Sequence, residues 1–156
     1  MPRAQEDATA SGVQDLVKGA LQLIVFAKKL KEEALQFRQE FPNGPKHPLE
    51  YVDYYKEKES IAKTAMALRD AMAEQLIELA SVVPLNKEDY TNVMNVLYSL
   101  NPYEPEKTIA NDAFLQLYTS LVLSAIYAKG GAPPTPVFVP MPLQQGTEGT
   151  KTKVPQ

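Results

Sequence analysis

The 156-residue chain contains no cysteine and no tryptophan, and its single histidine is His47. The absence of cysteine excludes a disulfide framework, a thiolate nucleophile and thiolate metal ligands. One imidazole excludes a metal site built from several histidines. The most apolar stretch, residues 21–27, is followed by Lys28 and Lys29, whereas a membrane span needs about 18 to 20 apolar residues. We therefore expect no metal, no cofactor and no membrane span.

The motifs of common catalytic and phosphate-binding sites are also missing. His47 lies between Lys46 and Pro48, and no Gly-x-Ser-x-Gly segment supplies a serine nucleophile for it. The chain lacks the Glu-x-x-His motif of di-iron carboxylate bundles. A phosphate-binding loop has a lysine after its glycines and then a helix. Gly130-Gly131 is followed by Ala132 and proline instead, so it is not such a loop. The sequence predicts that the chain is not an enzyme, and carboxylate-based catalysis is the least supported interpretation.

Proline and glycine divide the chain into four segments with helical periodicity. Hydrophobic residues make up 44% of the chain and charged residues 22%, which is typical of a globular protein. Asn86 is the expected N-cap residue of the third segment, because its side chain can accept a hydrogen bond from a free backbone N–H. The predicted helices are residues 11–41, 48–83, 86–101 and 105–128.

The predicted fold is all-α, with one four-helix bundle-like domain and two arms. The first two helices are the long ones. The N-terminal arm covers residues 1–10 and the helical domain residues 11–131. An extended, proline-rich C-terminal arm covers residues 132–156, which contain six of the thirteen prolines.

Long apolar seams run along the first two predicted helices. Their residues are three and four positions apart, as in helices that pack lengthwise. The first seam consists of Val13, Leu16, Ala20, Leu23, Ala27, Leu30, Ala34, Phe37 and Phe41. The second consists of Ile61, Ala65, Leu68, Met72, Leu76, Leu79 and Val83. We expect the two seams to pack together, and Gly19 predicts a close contact between the first helix and a neighbour.

The chain carries more apolar surface than four helices of these lengths can cover. The first helix is apolar almost all round between Val13 and Ala27, and the fourth is similar. This pattern suggests a second subunit. The C-terminal arm is also unusually apolar, and either folds back on its own helices or docks on a neighbouring copy. The residues expected to anchor it in an assembly are Val137, Phe138, Val139, Met141 and Leu143.

Basic charge is concentrated in the first two helices. On a helical wheel, Lys28, Lys31 and Arg38 lie on one flank of the first seam, and Glu33 and Glu40 lie on the far side. The second helix has a corresponding basic and aromatic flank. One interpretation is that these strips follow a phosphate backbone. The other is that they are solvated helix faces with partly buried tyrosines. The net charge of −3 favours the second interpretation. The candidate nucleic-acid contacts are Lys28, Lys31, Arg38, Tyr51, Tyr55, Lys58 and Arg69.

The chain resembles one known family at the level of architecture. Long paired helices at the amino end, a compact helical remainder, no cysteine and proline-rich ends are similar to the helical coat proteins of filamentous and rod-shaped archaeal DNA viruses. The resemblance covers the whole chain and includes no diagnostic motif. It implies that the long helices wrap duplex DNA in a helical array, with the five basic candidate residues facing the DNA. The implied partners are copies of the chain, a related second coat subunit and double-stranded DNA, and the implied location is the virion.

Two functions therefore remain open. The first is a structural, self-assembling helical subunit, most concretely a viral coat protein that packages double-stranded DNA. The second is a small helical adaptor or regulator, cytoplasmic and without nucleic acid, whose fourth helix and C-terminal arm dock on another protein. Particle size separates the two functions, because a coat protein forms filaments or multimers.

Overall fold

A computed structural model describes residues 10–128 of the chain. Helices account for 82% of this part, which contains no strands. The four α-helices are α1 (Ala10–Glu40), α2 (Pro48–Val82), α3 (Lys87–Tyr98) and α4 (Asp112–Ala128), and a single 3-10 turn covers Pro105–Lys107. The predicted all-α fold, with its two long N-terminal helices, is confirmed. Among the described helices, none is long and apolar enough to cross a membrane.

Local signals explain where α2 and α3 begin. Pro48 occupies the first turn of α2, where its missing N–H costs no helical hydrogen bond. The turn before it contains Gly44, whose φ of 81° is a left-handed conformation that favours glycine. At the start of α3, the Asn86 side chain accepts a hydrogen bond from the Asp89 backbone N–H at 2.9 Å, as predicted for an N-cap residue.

The fourth helix begins seven residues later than predicted. Residues 105–107 form only a 3-10 turn, and Thr108 has a non-helical backbone conformation. Asn111 then caps α4, because its Oδ1 accepts hydrogen bonds from the backbone N–H groups of Ala113 at 2.9 Å and Phe114 at 3.4 Å. Ile109 and Ala110 are fully buried in the intervening turn. Core burial of these two residues and the Asn111 cap outweigh the preference of Pro105 for a helix start.

The helices pack around one core. Helix α1 contacts α2 and α4, and α3 contacts the same two helices. Helices α1 and α4 run antiparallel, since Lys31 pairs with Asp112 at the start of α4 whereas Ile24 lines a cavity with Thr119, further along it. The extensive contact between α1 and α2 confirms that the first two helices pack together, as the two seams predict.

The buried face of α1 differs from the predicted seam. Val17 and Ile24 are buried, whereas the seam positions Leu16 and Leu23 are half-buried at the edge of the core. The reason is that α4 covers α1 on the Ile24 side, so the buried face widens beyond the contact with α2. The predicted seam of α2 is buried throughout.

Gly19 lies at the predicted close contact. A Cβ atom placed there would come within 2.9 Å of the Gln75 Nε2 atom of α2. The N-terminal arm and the C-terminal arm, including the five predicted anchor residues from Val137 to Leu143, lie outside the described residues, apart from Ala10 at the start of α1.

Candidate functional site

The basic flank of α1 contacts the carboxylates that follow α3. The Lys31 ammonium lies 3.0 Å from the Asp112 carboxylate at the start of α4. The Arg38 guanidinium forms an ion pair with Glu106 and donates a hydrogen bond to the Tyr103 carbonyl oxygen at 3.1 Å. These contacts connect α1 to the segment between α3 and α4 and to the first residue of α4.

The two ion pairs differ in their exposure to solvent. The Asp112 side chain is 73% exposed, so water and salt screen its attraction to Lys31. The Glu106 side chain is only 13% exposed, and its Oε1 atom has no hydrogen-bond partner among the described residues. Arg38 therefore holds a largely buried carboxylate, and we assign it a structural role.

Lys28 lines a cavity between α1 and α4, away from the Arg38–Glu106 ion pair. The cavity has a volume of about 330 Å³. Its lining residues are Ile24, Lys28, Asp112, Leu115, Gln116 and Thr119.

On α2, Lys58 is surrounded by tyrosine rings. Its ammonium lies 5.5 Å from the ring centroid of Tyr54, 5.9 Å from that of Tyr55 and 5.1 Å from that of Tyr103. Each distance permits a cation–π interaction. Tyr51 extends this group, since its ring centroid is 6.2 Å from that of Tyr55.

Arg69 lies apart from these residues. It follows Lys58 by eleven positions on α2, which corresponds to about 16 Å. Its Nε atom lies 2.6 Å from Oδ1 of the neighbouring Asp70, whose side chain is 71% exposed.

The structure brings Arg38 and Lys58 together at one groove, which we name the aromatic groove. It has a volume of about 340 Å³ and lies between the α1–α2 turn and residues 101–104. Its lining residues are Phe37, Arg38, Phe41, Pro42, Gly44, Tyr54, Lys58, Asn101, Tyr103 and Glu104. The remaining basic candidates, Lys28, Lys31 and Arg69, do not line this groove.

Three aromatic rings form one wall of the aromatic groove. The ring centroids of Phe37 and Tyr54 are 5.1 Å apart, those of Phe41 and Tyr54 are 5.2 Å apart, and those of Phe37 and Phe41 are 5.5 Å apart. All three side chains are half-buried. Tyr103, which is 44% exposed, supplies a fourth ring through its contact with Lys58.

The groove residues Tyr54 and Tyr103 were not among the site residues predicted from the sequence. A signal for Tyr54 was present, because Tyr51, Tyr54, Tyr55 and Lys58 follow the helical spacing of three and four. Tyr103 lies in the segment between α3 and α4, and only the tertiary fold places it beside α1 and α2. Phe37 and Phe41 were predicted as core seam residues, and they lie at the edge of the core instead.

Carboxylates gather on another part of the α1–α2 contact. Partial burial raises the pKa of the Glu57 carboxyl above its ordinary value, and the nearby Glu40 carboxylate raises it further. Glu33 and Asp53 contribute smaller effects of the same sign. In the part of the chain that the structure describes, no group of three or more His, Asp or Glu residues is arranged to hold a metal ion.

His47 is exposed in the α1–α2 turn. The neighbouring Lys46 backbone N–H donates a hydrogen bond to Glu50 Oε1 at 2.8 Å, and this bond lowers the pKa of the Glu50 carboxyl. The arrangement is that of a helix N-terminus, with His47 at the N-cap position of α2.

No protein family model, no curated protein and no solved structure matches the chain.

Proposed function

We propose that the chain is a structural, self-assembling helical subunit, most concretely a viral coat protein that packages double-stranded DNA. The observation that supports this proposal is the exposure of large apolar side chains on the two long helices. Phe26 on α1 is 52% exposed and Val25 is 62% exposed. At the start of α2, Leu49 is 90% exposed and Val52 is 71% exposed.

Each of these pairs exposes apolar surface. Leu49 and Val52 are three positions apart, so their side chains are neighbours on the surface of α2. Val25 and Phe26 are adjacent in sequence, so their side chains point about 100° apart around α1. Burying one such side chain fully contributes about 1.5–3 kcal/mol. Two surfaces on different helices allow one copy to contact two neighbours, as a helical array requires.

The DNA-binding part of the proposal depends on cations that phosphate groups can reach: Lys31 and Arg69, which are partly exposed, and Lys28. Asp112 and Asp70, the partners of Lys31 and Arg69, are largely exposed, so phosphate groups can compete for these two cations at little cost. Lys28 is exposed as well. Arg38 is less suited to bind phosphate, because releasing it leaves the buried Glu106 carboxylate without its ion pair.

Light scattering and negative-stain microscopy of the full chain test self-assembly. We expect filaments or multimers in the parent, and smaller species in a Phe26→Ser, Val52→Ser variant. Tyr98→Ser is the matched control, since Tyr98 is also exposed but lies on the short helix α3. A parent that stays monomeric at all concentrations contradicts the coat proposal and supports the alternative, a helical adaptor that binds a different protein.

The C-terminal arm provides a second test of assembly. Deletion of residues 133–156 is expected to leave a folded helical subunit, because buried side chains within residues 13–125 already form a hydrophobic core. The truncated subunit is expected to lose assembly, which sedimentation measures. Native particles built from the truncated subunit contradict a role of the arm in assembly.

Salt dependence tests the DNA contact. A plot of the logarithm of the association constant against the logarithm of salt concentration has a negative slope, and each phosphate that the protein neutralises steepens it by about 0.9. We expect Lys28→Gln with Lys31→Gln to flatten the slope by about 2, whereas the control pair Lys18→Gln with Lys87→Gln leaves it unchanged. An unchanged slope in the first variant, or no DNA binding by the assembled parent, contradicts the DNA part of the proposal.

A further inference from the structure

The aromatic groove has the features of a binding site for an extended, uncharged peptide. Its rings are packed against one another, so the wall formed by Phe37, Phe41 and Tyr54 is already in place. Grooves lined by aromatic rings bind proline-rich segments in the polyproline II conformation. Such segments lose little conformational entropy on binding, because proline already restricts the free chain.

The cations of the groove are engaged with groups of the same chain. The Lys58 ammonium lies over three tyrosine rings, and the Arg38 guanidinium contacts the Glu106 carboxylate and the Tyr103 carbonyl oxygen. A phosphate ligand would have to compete with these contacts. A neutral, apolar peptide can contact the rings and leave the contacts of both cations intact, so the groove favours that class of ligand.

The chain itself contains a segment of this chemistry. Residues 130–147 carry no charged side chain, and residues 133–143 contain five prolines. A polyproline II helix has about three residues per turn, so Pro133, Pro136, Val139 and Pro142 share one edge in that conformation. We propose that the aromatic groove binds residues 133–143 of a second copy of the chain. This inference deepens the proposed self-assembly and depends on it.

The reach of the chain favours a second copy over the same chain. Helix α4 runs from Asp112, beside Lys31, away from the groove, and at about 1.5 Å per residue its end at Ala128 lies about 24 Å further on. In the opposite direction, the groove residue Phe37 lies about 9 Å from Lys31 along α1. About 33 Å therefore separates Ala128 from the nearest part of the groove. The five residues from Ala128 to Pro133 span at most about 18 Å, so residues 133–143 cannot all lie in the groove of their own chain.

Photo-cross-linking of the full chain tests the inference. The photoreactive residue p-benzoylphenylalanine replaces Phe138, or Thr135 in a second variant. Unlabelled chains and chains labelled with ¹⁵N are mixed in denaturant, refolded together and irradiated. Mass spectrometry then identifies the linked peptides and whether they join a light chain to a heavy chain. Light scattering of the same sample records whether particles form.

We expect light-to-heavy cross-links from the arm to residues 37–44, 54–58 or 101–104. Tyr103→Ala removes an aromatic contact and is expected to lower the yield about fivefold. Tyr98→Ala is the control, since Tyr98 is exposed and does not line the groove. Both variants are expected to keep the helical circular dichroism of the parent, because both side chains are substantially exposed. The yield is also expected to be the same in 1 M salt, since the segment is uncharged.

Several results would overturn the inference. Cross-links confined to single chains show that the groove does not receive a second copy. Loss of the cross-link when duplex DNA is added identifies the groove as a phosphate site. Particles whose cross-links map elsewhere refute the groove assignment and leave self-assembly intact. If no particles form, self-assembly into a coat is refuted, whereas light-to-heavy cross-links at the groove in a dimer still support the inference.

Discussion

The Tyr118 hydroxyl provides a direct test of the core. Tyr118 on α4 is fully buried, and its ring centroid lies 6.1 Å from that of Phe114. The hydroxyl is buried and has no hydrogen-bond partner among the described residues. A buried polar group without a partner costs about 1–3 kcal/mol. Tyr118→Phe removes only the hydroxyl and keeps the ring, so it is expected to stabilise the protein.

We expect an increase of about 1 kcal/mol in the free energy of unfolding, measured by urea denaturation. For a chain of this size, the melting temperature should rise by about 2–4 °C. Tyr98→Phe is the matched control and should change neither quantity, since Tyr98 is 63% exposed. A Tyr118→Phe protein that is less stable than the parent would show that the hydroxyl makes a stabilising hydrogen bond in the folded protein.

The same hydroxyl predicts a loss of stability at alkaline pH. Burial raises the pKa of Tyr118 above its ordinary value of about 10. Above that pH the unfolded chain releases the proton whereas the folded protein keeps it, so rising pH favours unfolding. The free energy of unfolding is therefore unaffected by Tyr118 ionisation below about pH 10. It falls as the pH rises from there towards the pKa of Tyr118 in the folded protein. Tyr118→Phe is expected to reduce this alkaline loss of stability. Equal alkaline losses in the parent and Tyr118→Phe contradict the proposed burial.

Three further substitutions test the seam, the carboxylate group and the cap. Leu30→Asp is expected to lower the free energy of unfolding by several kcal/mol, because it places a charge at a fully buried position. Leu35 is exposed, so Leu35→Asp should change the urea midpoint little. Equal urea midpoints for the two variants would contradict the assignment of Leu30 to the buried seam. Glu57→Gln is expected to raise the melting temperature at pH 7, since it removes a carboxylate disfavoured by burial and by Glu40. That gain should vanish below about pH 4.3, where both folded and unfolded chains are protonated; a gain that does not depend on pH contradicts the electrostatic explanation. Asn111→Ala is expected to cost about 1 kcal/mol in urea denaturation through loss of the α4 cap, and no change would show that the cap is dispensable.

The starts of α2 and α3 follow from local sequence, whereas the start of α4 does not, and α3 ends at Tyr98 and not at residue 101 as predicted. Pro48 and the Asn86 cap act within one helical turn, so a sequence pattern is sufficient to locate them. Pro105 carries a similar local signal, but Ile109 and Ala110 enter the core in a turn, and this burial depends on helices that are distant in sequence. The local signal at Pro105 therefore predicts the wrong helix start.

The candidate site divides in the same way between sequence and tertiary structure. The residue types of the basic flank and the helical spacing of Tyr51, Tyr55 and Lys58 were evident from the sequence. Their partners were not, because Lys31 pairs with Asp112 and Arg38 with Glu106 across more than sixty residues of chain. Helical periodicity relates only residues within a few turns. Helical periodicity alone predicts the all-α class and the positions of the cations along the helices. Packing of α1 against α2 and against the segment before α4 selects the cations that are engaged and creates the aromatic groove.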